Sequence, residues 1–364
     1  MELLTESGHD AWFVGGCVRN SLMGLPISDI DITTDALPTA VLALAQEHGH
    51  KAVATGIDHG TITLIIEDTP FEVTTLRRDV STDGRRAAVS FSKSLLEDAR
   101  RRDFTMNAVY ALPDGTVVDP LNGLPDIKAR RVRFIDDPYA RIKEDYLRIL
   151  RFFRFSSVYG NLERDGIDPD GLAACAELGE GLETLSKERI WQELSKILQD
   201  DDPSIALSTM IRAGLLWRIL PGADSAQVSL LVHNERLVGA EPDAIRRLAL
   251  IGGDDPAARL RLSRKEHREL VRYLVEDTSP RALGYRHGAK AAQDILLVRA
   301  SAEGVEIDSN KLESAMRAAT ETFPLTADDL MPALTGPALG RALNAAEDEW
   351  IESGFTLTKE DLLG

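Results

Sequence analysis

The chain has 364 residues, of which 43% are hydrophobic and 28% charged, and a net charge of −17. That length supports two or three domains with sizeable cores. Two cysteines, Cys17 and Cys175, exclude a disulfide framework and a four-cysteine zinc site, and they fit a reducing compartment. No uninterrupted apolar stretch approaches the ~20 residues of a membrane span. The first ten residues, MELLTESGHD, lack the basic start and apolar run of a signal peptide, so a cytoplasmic location is expected. The charge is unevenly spread. Between Arg77 and Arg154 there are 17 Lys/Arg and 12 Asp/Glu, a local balance of +5 that leaves −22 elsewhere. A basic region inside an acidic chain suits an RNA end held at one place better than the wrapping of a long polymer.

Residues 10–120 read as mixed α/β. The apolar run AWFV (11–14) predicts a strand, and VRNSLMG (18–24) a helix, with Gly15 and Gly16 between them. A strand, a glycine turn and a helix N-terminus make a phosphate-binding arrangement. In SDIDIT (28–33) a strand would place Asp29 and Asp31 on one face and Ile30 and Ile32 on the other. Two such carboxylates suit a hard divalent cation in phosphate chemistry. TDALPTAVLALAQEHG (34–49) predicts a helix, with Pro38 near its start and Gly49 at its end. TITLII (61–66) and FEVTTL (71–76), joined by EDTP, predict a hairpin. Alternation then sets Glu72 and Thr74 opposite Phe71 and Val73, which adds a third acid. The polar stretch 74–91 reads as a loop, and TVVD (116–119) as a last short strand.

From Pro138 onward the pattern turns helical, in 140–160, 185–200 and 205–222, and 223–364 continues it with breaks near Gly252-Gly253 and Pro280. In KEDYLRILRFFRF (143–155), helical spacing sets Asp145 beside Arg148, with Arg151 and Arg154 along a drifting stripe. Taken alone, that is an intrahelical ion pair with surface arginines. In RRRDFTMNAVYAL (100–112), Arg100 and Arg101 read as surface or RNA-facing.

The combination GG-x-VR-x(9)-D-x-D (15–31), with E-V-T-T (72–75), RRDFT-x-NA (101–108) and ED-x-x-R-x-x-R (144–151), resembles the polymerase-β-like nucleotidyltransferases. Within them it is similar to the branch of class II CCA-adding tRNA nucleotidyltransferases and bacterial poly(A) polymerases. The resemblance implies an α/β head with a mixed sheet and helices, followed by an all-α body. It implies a catalytic head at 1–133, a helical neck with the base-reading helix at 134–222, and a tRNA-binding helical body and tail at 223–364. By the same match Asp29 and Asp31 hold Mg²⁺, and Glu72 is the third catalytic carboxylate. Gly15, Gly16, Arg19 and Arg102 bind the nucleotide, and Asp103 and Asn107 order the site. Asp145 and Arg148 read the incoming base, and Arg151 and Arg154 contact nucleotide or phosphate. The implied substrates are CTP, ATP and the 3′ end of tRNA. The alternatives are poly(A) synthesis, partial CC or A addition, and an idle RNA-binding protein. The acidic end AAEDEWIESGFTLTKEDLLG (345–364) favours the tRNA enzyme over the poly(A) polymerase, which often carries a basic extension. In relatives the 74–91 position holds a flexible loop needed to switch from C to A addition. Asn20 and Cys17 depart from the Asp and small residue usual in the family, and the short lead before the first strand suggests a trimmed N-terminus.

Overall fold

The apolar runs of the first 120 residues become strands β1 (Ala11–Val14), β2 (Asp31–Thr34), β3 (Lys51–Gly56), β4 (Thr61–Ile66), β5 (Thr69–Thr75), β8 (Tyr110–Ala111) and β9 (Val117–Val118), while β6 (Arg77–Asp83) and β7 (Arg86–Phe91) pair with each other. The first seven form one sheet of order β3–β4–β5–β2–β1–β8–β9. The β2–β5 pair is parallel and the other ladders are antiparallel, so the sheet is mixed, as the sequence implies. The computed structural model describes residues 1–83, 86–274, 279–331 and 333–364. They fall into two units, Met1–Pro221 and Gly222–Gly364.

Alternation along the strands decides what each sheet face carries. Ala11, Ile32, Ile62, Leu64 and Val73 share one core with Val41 and Ala45 of the Pro38–Glu47 helix. Val14 and Tyr110 belong to a second core, with Ala99, Ala108 and Ile135. Asp31 and Glu72 alternate with Ile32 and Val73, so they are turned away from the first core.

Several strands differ from the sequence reading, among them β8, which no expected run covers. β3 is an edge strand whose ladder shifts register between Val53 and Gly56, and its partly exposed residues give no clean apolar alternation. β5 starts at Thr69 because the hairpin turn is only Glu67 and Asp68, both at positive φ, 49° and 61°. Two positive-φ residues make the primed turn whose twist matches the flanking strands. The stretch expected as a loop after Thr75 is a two-stranded ladder running from Arg77↔Phe91 to Asp83↔Arg86, while Gly84 and Arg85 lie outside the described residues. Backbone pairing, which an apolar pattern does not report, makes that ladder.

Two expected helices are broken. The 140–160 stretch forms Pro138–Glu144 and Leu147–Tyr159, because Asp145 adopts extended backbone at φ −155°, ψ 108°. Gly214, at φ 70°, separates Ser204–Arg212 from Leu215–Ile219. The Lys187–Leu198 helix matches its expectation and begins under a Ser186 side chain that accepts from the Arg189 amide.

The second unit is helical throughout its described secondary structure, and no described helix is long and apolar enough to cross a membrane. Its interior holds a buried ion network. Arg246 donates to Glu235 at 2.8 Å and to Asp294 at 2.6 Å, and Arg247 donates to Glu235 at 2.7 Å. Both arginines are 1% exposed. Removing one member of a buried pair strands the other charge, which costs about 3–5 kcal/mol. Glu235→Ala is therefore expected to destabilise the second unit by about that amount. Urea unfolding of the variant with an unchanged midpoint would contradict this.

Candidate active site

β1 ends at Val14, and the chain turns through Gly15 into the Gly16–Met23 helix. Gly15 holds φ 74°, ψ −126°, a conformation other residues adopt only under strain. A Cβ placed there would also lie 3.5 Å from Nη1 of Arg102. The turn thus presents the first amides of a helix beneath a guanidinium, two complements to phosphate in one place.

Arg102 is fixed from behind. It donates to Asp98 at 3.1 Å and to the Tyr110 hydroxyl at 3.3 Å. Asp98 is fully buried and also takes Arg101 at 2.7 Å and the Tyr110 hydroxyl at 2.9 Å. Burial alone would raise the Asp98 carboxyl, but Arg102 and Arg101 outweigh it and hold it at about 2. Arg101 is therefore a structural partner of Asp98 and not a surface residue.

The acids meet across the parallel pair. Asp31 of β2 stands in register with Glu72 of β5, and in-register neighbours of adjacent strands share a face. Burial raises the Asp31 carboxyl, nearby Arg102 opposes the shift, and Asp29 adds to it. Glu72 is raised by burial, then by Asp31 and Asp29. The strand expectation needs one correction. β2 begins at Asp31, so Asp29 lies outside the ladder, exposed, with the Ser28 hydroxyl donating to it at 3.0 Å. Among the described residues no three His, Cys, Asp or Glu side chains converge as a ready-made ligand set. Their chemistry still fits a hard divalent cation, since all three offer carboxylate oxygens, and Asp31 and Glu72 are both raised by burial and by neighbouring acids.

Arg19 does not point into open space. It is 5% exposed and donates to Asn107, to Asn20 at 2.8 Å and to the Tyr159 hydroxyl at 2.7 Å, and it lies 3.8 Å over the Tyr159 ring. It thereby ties the helix after the glycine turn to the Leu147–Tyr159 helix. Asn20 accepts from Arg19 and donates through Nδ2 to the Pro26 carbonyl at 2.7 Å. A carboxylate in its place could accept but not donate.

The base-reading segment departs furthest from its expectation. Asp145 and Arg148 form no ion pair with each other, because Asp145 has left the helix and the three-residue neighbour rule no longer applies. Oδ1 of Asp145 accepts from the Leu147 amide at 3.1 Å, and Oδ2 accepts from Arg189 at 2.6 Å. Arg148 donates to Glu144, to the Arg141 carbonyl at 2.9 Å and to the Arg101 carbonyl at 3.0 Å. Arg151 and Arg154 are not a surface stripe either. Arg151 donates to Asp103 at 2.7 Å, and Arg154 to Glu193 at 2.6 Å. Asp103 also accepts from Asn107 at 2.9 Å. Burial would raise the Asp103 carboxyl, yet Arg151, Asn107 and Arg148 bring it to about 2.

Asp98, Glu144, Tyr159, Arg189 and Glu193 were not singled out from the sequence. For two of them a signal existed: Arg189 and Glu193 are one turn apart on a helix, the spacing that puts two side chains on one face.

A family model described as the poly A polymerase head domain matches residues 11–133, and one described as a probable RNA and SrmB-binding site of polymerase A matches 166–227. The chain is 33% identical to the mitochondrial CCA tRNA nucleotidyltransferase 1 of Mus musculus, over 100% of this chain and 87% of that protein. It is 31% identical to the CCA-adding enzyme of Limosilactobacillus fermentum, over 99% of this chain and 93% of that one. The crystal structure of the Bacillus stearothermophilus CCA-adding enzyme in complex with CTP superposes with a TM-score of 0.78 at 28% identity, covering 97% of this chain and 91% of that one. The Thermotoga maritima CCA-adding enzyme complexed with tRNA shares the fold, with a TM-score of 0.70 at 20% identity, covering 99% and 92%. The acids, the glycine turn and its guanidinium thus sit in a fold shared with solved CCA-adding enzymes, and the chain belongs to the CCA tRNA nucleotidyltransferase family.

Proposed function

We propose that this chain builds CCA on the 3′ end of tRNA from CTP and ATP, and that Asp29, Asp31 and Glu72 form its catalytic centre. The observation that carries this is the parallel register of Asp31 and Glu72, with Asp29 near both and Arg102 near Asp31. The tRNA 3′-hydroxyl attacks the α-phosphate of the bound nucleotide, the new P–O bond forms, and pyrophosphate leaves. Asp29 and Asp31 would hold Mg²⁺, and Glu72 assists from the neighbouring strand. When bound, the cation supplies Lewis-acid polarisation of the phosphate and activation of the attacking hydroxyl. Arg102 and the amides after Gly15 and Gly16 neutralise the triphosphate, and Arg19 holds that turn in place. The free, buried Cys17 and Cys175 support a cytoplasmic site of action, although relatives include mitochondrial enzymes.

Base choice falls to Asp145 and Arg148. Cytosine and adenine present an amine donor beside a ring-nitrogen acceptor, which a carboxylate and a guanidinium match. Uracil and guanine place a carbonyl where the amine was, so two acceptors would face each other unpaired. Arg151 and Arg154 act one layer further out, through Asp103 and Glu193. The proposed division is a catalytic head at 1–133, a base-reading neck at 134–222 and a tRNA-anchoring body at 223–364.

Within that body the Arg264–Tyr273 helix offers an anchor. Arg264, Lys265, Arg268 and Arg272 are exposed and fall within one arc of the helix, opposite the buried Leu270 and Tyr273. Successive arginines four residues apart rise about 6 Å each, a row of cations suited to phosphates.

Three outcomes are expected. With a tRNA lacking CCA, CTP and ATP together should add three nucleotides and then stop. Long adenylate tails from ATP alone would favour poly(A) synthesis instead. Asp31→Asn should abolish addition of every nucleotide while leaving tRNA binding intact. Because burial, more than Asp29, disfavours the charged Asp31, the same change should raise the melting temperature of chelator-treated protein, by about 2–4 °C per ~1 kcal/mol of relieved penalty. Normal turnover by this variant would remove Asp31 from catalysis. Replacing Arg264, Arg268 and Arg272 together with Gln should weaken tRNA binding and flatten its salt dependence by about 2–3 in log–log slope. An unchanged slope would place the anchor elsewhere.

A further inference from the structure

Asp145 is the acid assigned to the base's exocyclic amine, yet it stands at a corner between two helices with its side chain 22% exposed. The outer torsion of an Asp side chain is soft, so the backbone alone does not aim the carboxylate. Two donors do. The Leu147 amide takes Oδ1 at 3.1 Å, and Arg189 takes Oδ2 at 2.6 Å. Arg189 is itself well placed, since its amide donates to the Ser186 cap at 3.4 Å and its side chain is 19% exposed. One turn further along that helix, Glu193 holds Arg154 at 2.6 Å and lies 3.8 Å from Arg151. The Lys187–Leu198 helix therefore supplies a base to the acid of the reading segment and an acid to its arginines.

We propose that Arg189 is a positioning residue for base selection, fixing the Asp145 carboxylate so that its open lone pairs meet an amine and not another donor. The proposal rests on the reading of Asp145 and Arg148 as the base-selecting pair. An ionised carboxylate has about four acceptor sites, and two are engaged by Leu147 and Arg189. The remaining two have a set direction. Uracil and guanine also carry a ring N–H, one atom away from the position of the amine in cytosine and adenine. A carboxylate free to rotate could shift to that N–H and accept the wrong base. Arg189 closes this route without touching the nucleotide. Lysine would keep the charge but lose the planar fork that sets the direction.

The test compares kcat/KM for CTP and UTP, and for ATP and GTP, on tRNA ending before its next C or A. The proteins are wild type, Arg189→Ala, Arg189→Lys, Asp145→Ala and the double variant Asp145→Ala/Arg189→Ala, each with its melting temperature recorded. Arg189→Ala should reduce the CTP/UTP ratio about tenfold, the scale of one hydrogen bond to a charged group. Arg189→Lys should recover part of it while folding as wild type does. The double variant should show the ratio of Asp145→Ala alone, because Arg189 acts through that carboxylate. An equal fall for all four nucleotides with unchanged ratios would overturn the proposal and leave Arg189 as helix packing. Multiplying effects in the double variant would overturn it too, since Arg189 would then act by itself. If Asp145→Ala relaxes the ratio and Arg189→Ala does not, the positioning role alone falls. If Asp145→Ala leaves the ratio intact, the base-reading assignment falls and takes the proposal with it.

Discussion

One buried carboxylate, Asp103, holds the functional parts of the first unit in a common frame. It accepts from Arg151 on the Leu147–Tyr159 helix and from Asn107 in its own segment. Asn107 in turn accepts from Arg19, on the helix that follows the glycine turn. A lone charge at such depth would be expensive, and the cost is offset because each neighbouring donor is aimed at it. The same bonds that keep Asp103 ionised therefore tie the glycine turn to the Leu147–Tyr159 helix. A sheet can align Asp31 with Glu72 by itself. It has no means of fixing the Leu147–Tyr159 helix against the glycine turn, and the Asp103 connection supplies that.

The site is layered by charge. Asp29 and Glu72 are exposed, Asp31 and Gly16 half-buried, and Gly15 buried. Arg102 lies near Asp31 and Gly15, stiffened by Asp98 and Tyr110. Behind stand arginines already paired with protein carboxylates, which position the parts that make contact. Preorganisation of this kind lets charge develop in a transition state without costly rearrangement.

How much of this could be read from the sequence depended on whether the structural cause was local. Alternation at Asp31 and Glu72 was legible because period-two patterning is written residue by residue, and their parallel register agrees with it, whereas Asp29 precedes the strand and escapes that pattern. The edge strand β3 and the β6–β7 ladder were not legible, since backbone pairing rather than an apolar face makes them. The pairing of Asp145 failed for a different reason. Helical periodicity assumes an unbroken helix, and a single residue in extended backbone at Asp145 cancels the assumption. Its partner, Arg189, lies 44 residues away, so no local spacing links the two. Asn20 looked like a weakened motif, but its amide donates to the Pro26 carbonyl, which an acid there could not do.

The pairing of the arginines also changes what the local charge surplus means. Arg101 and Arg102 face Asp98, Arg131 and Arg133 face Asp126, and Arg148, Arg151 and Arg154 face Glu144, Asp103 and Glu193. Each one-to-one pair projects a dipole, whose field fades with distance faster than that of an isolated charge, while Asp98 and Asp126, each shared by two arginines, leave a single net positive charge apiece. The region around the site thus attracts RNA over a shorter range than its count of basic residues suggests. Salt in the surrounding solution shortens that range again, to a Debye length of about 8 Å at physiological ionic strength. A shallow, short-ranged well is an advantage for an enzyme that must let go of each finished molecule, because the grip that brings the end in does not slow its departure.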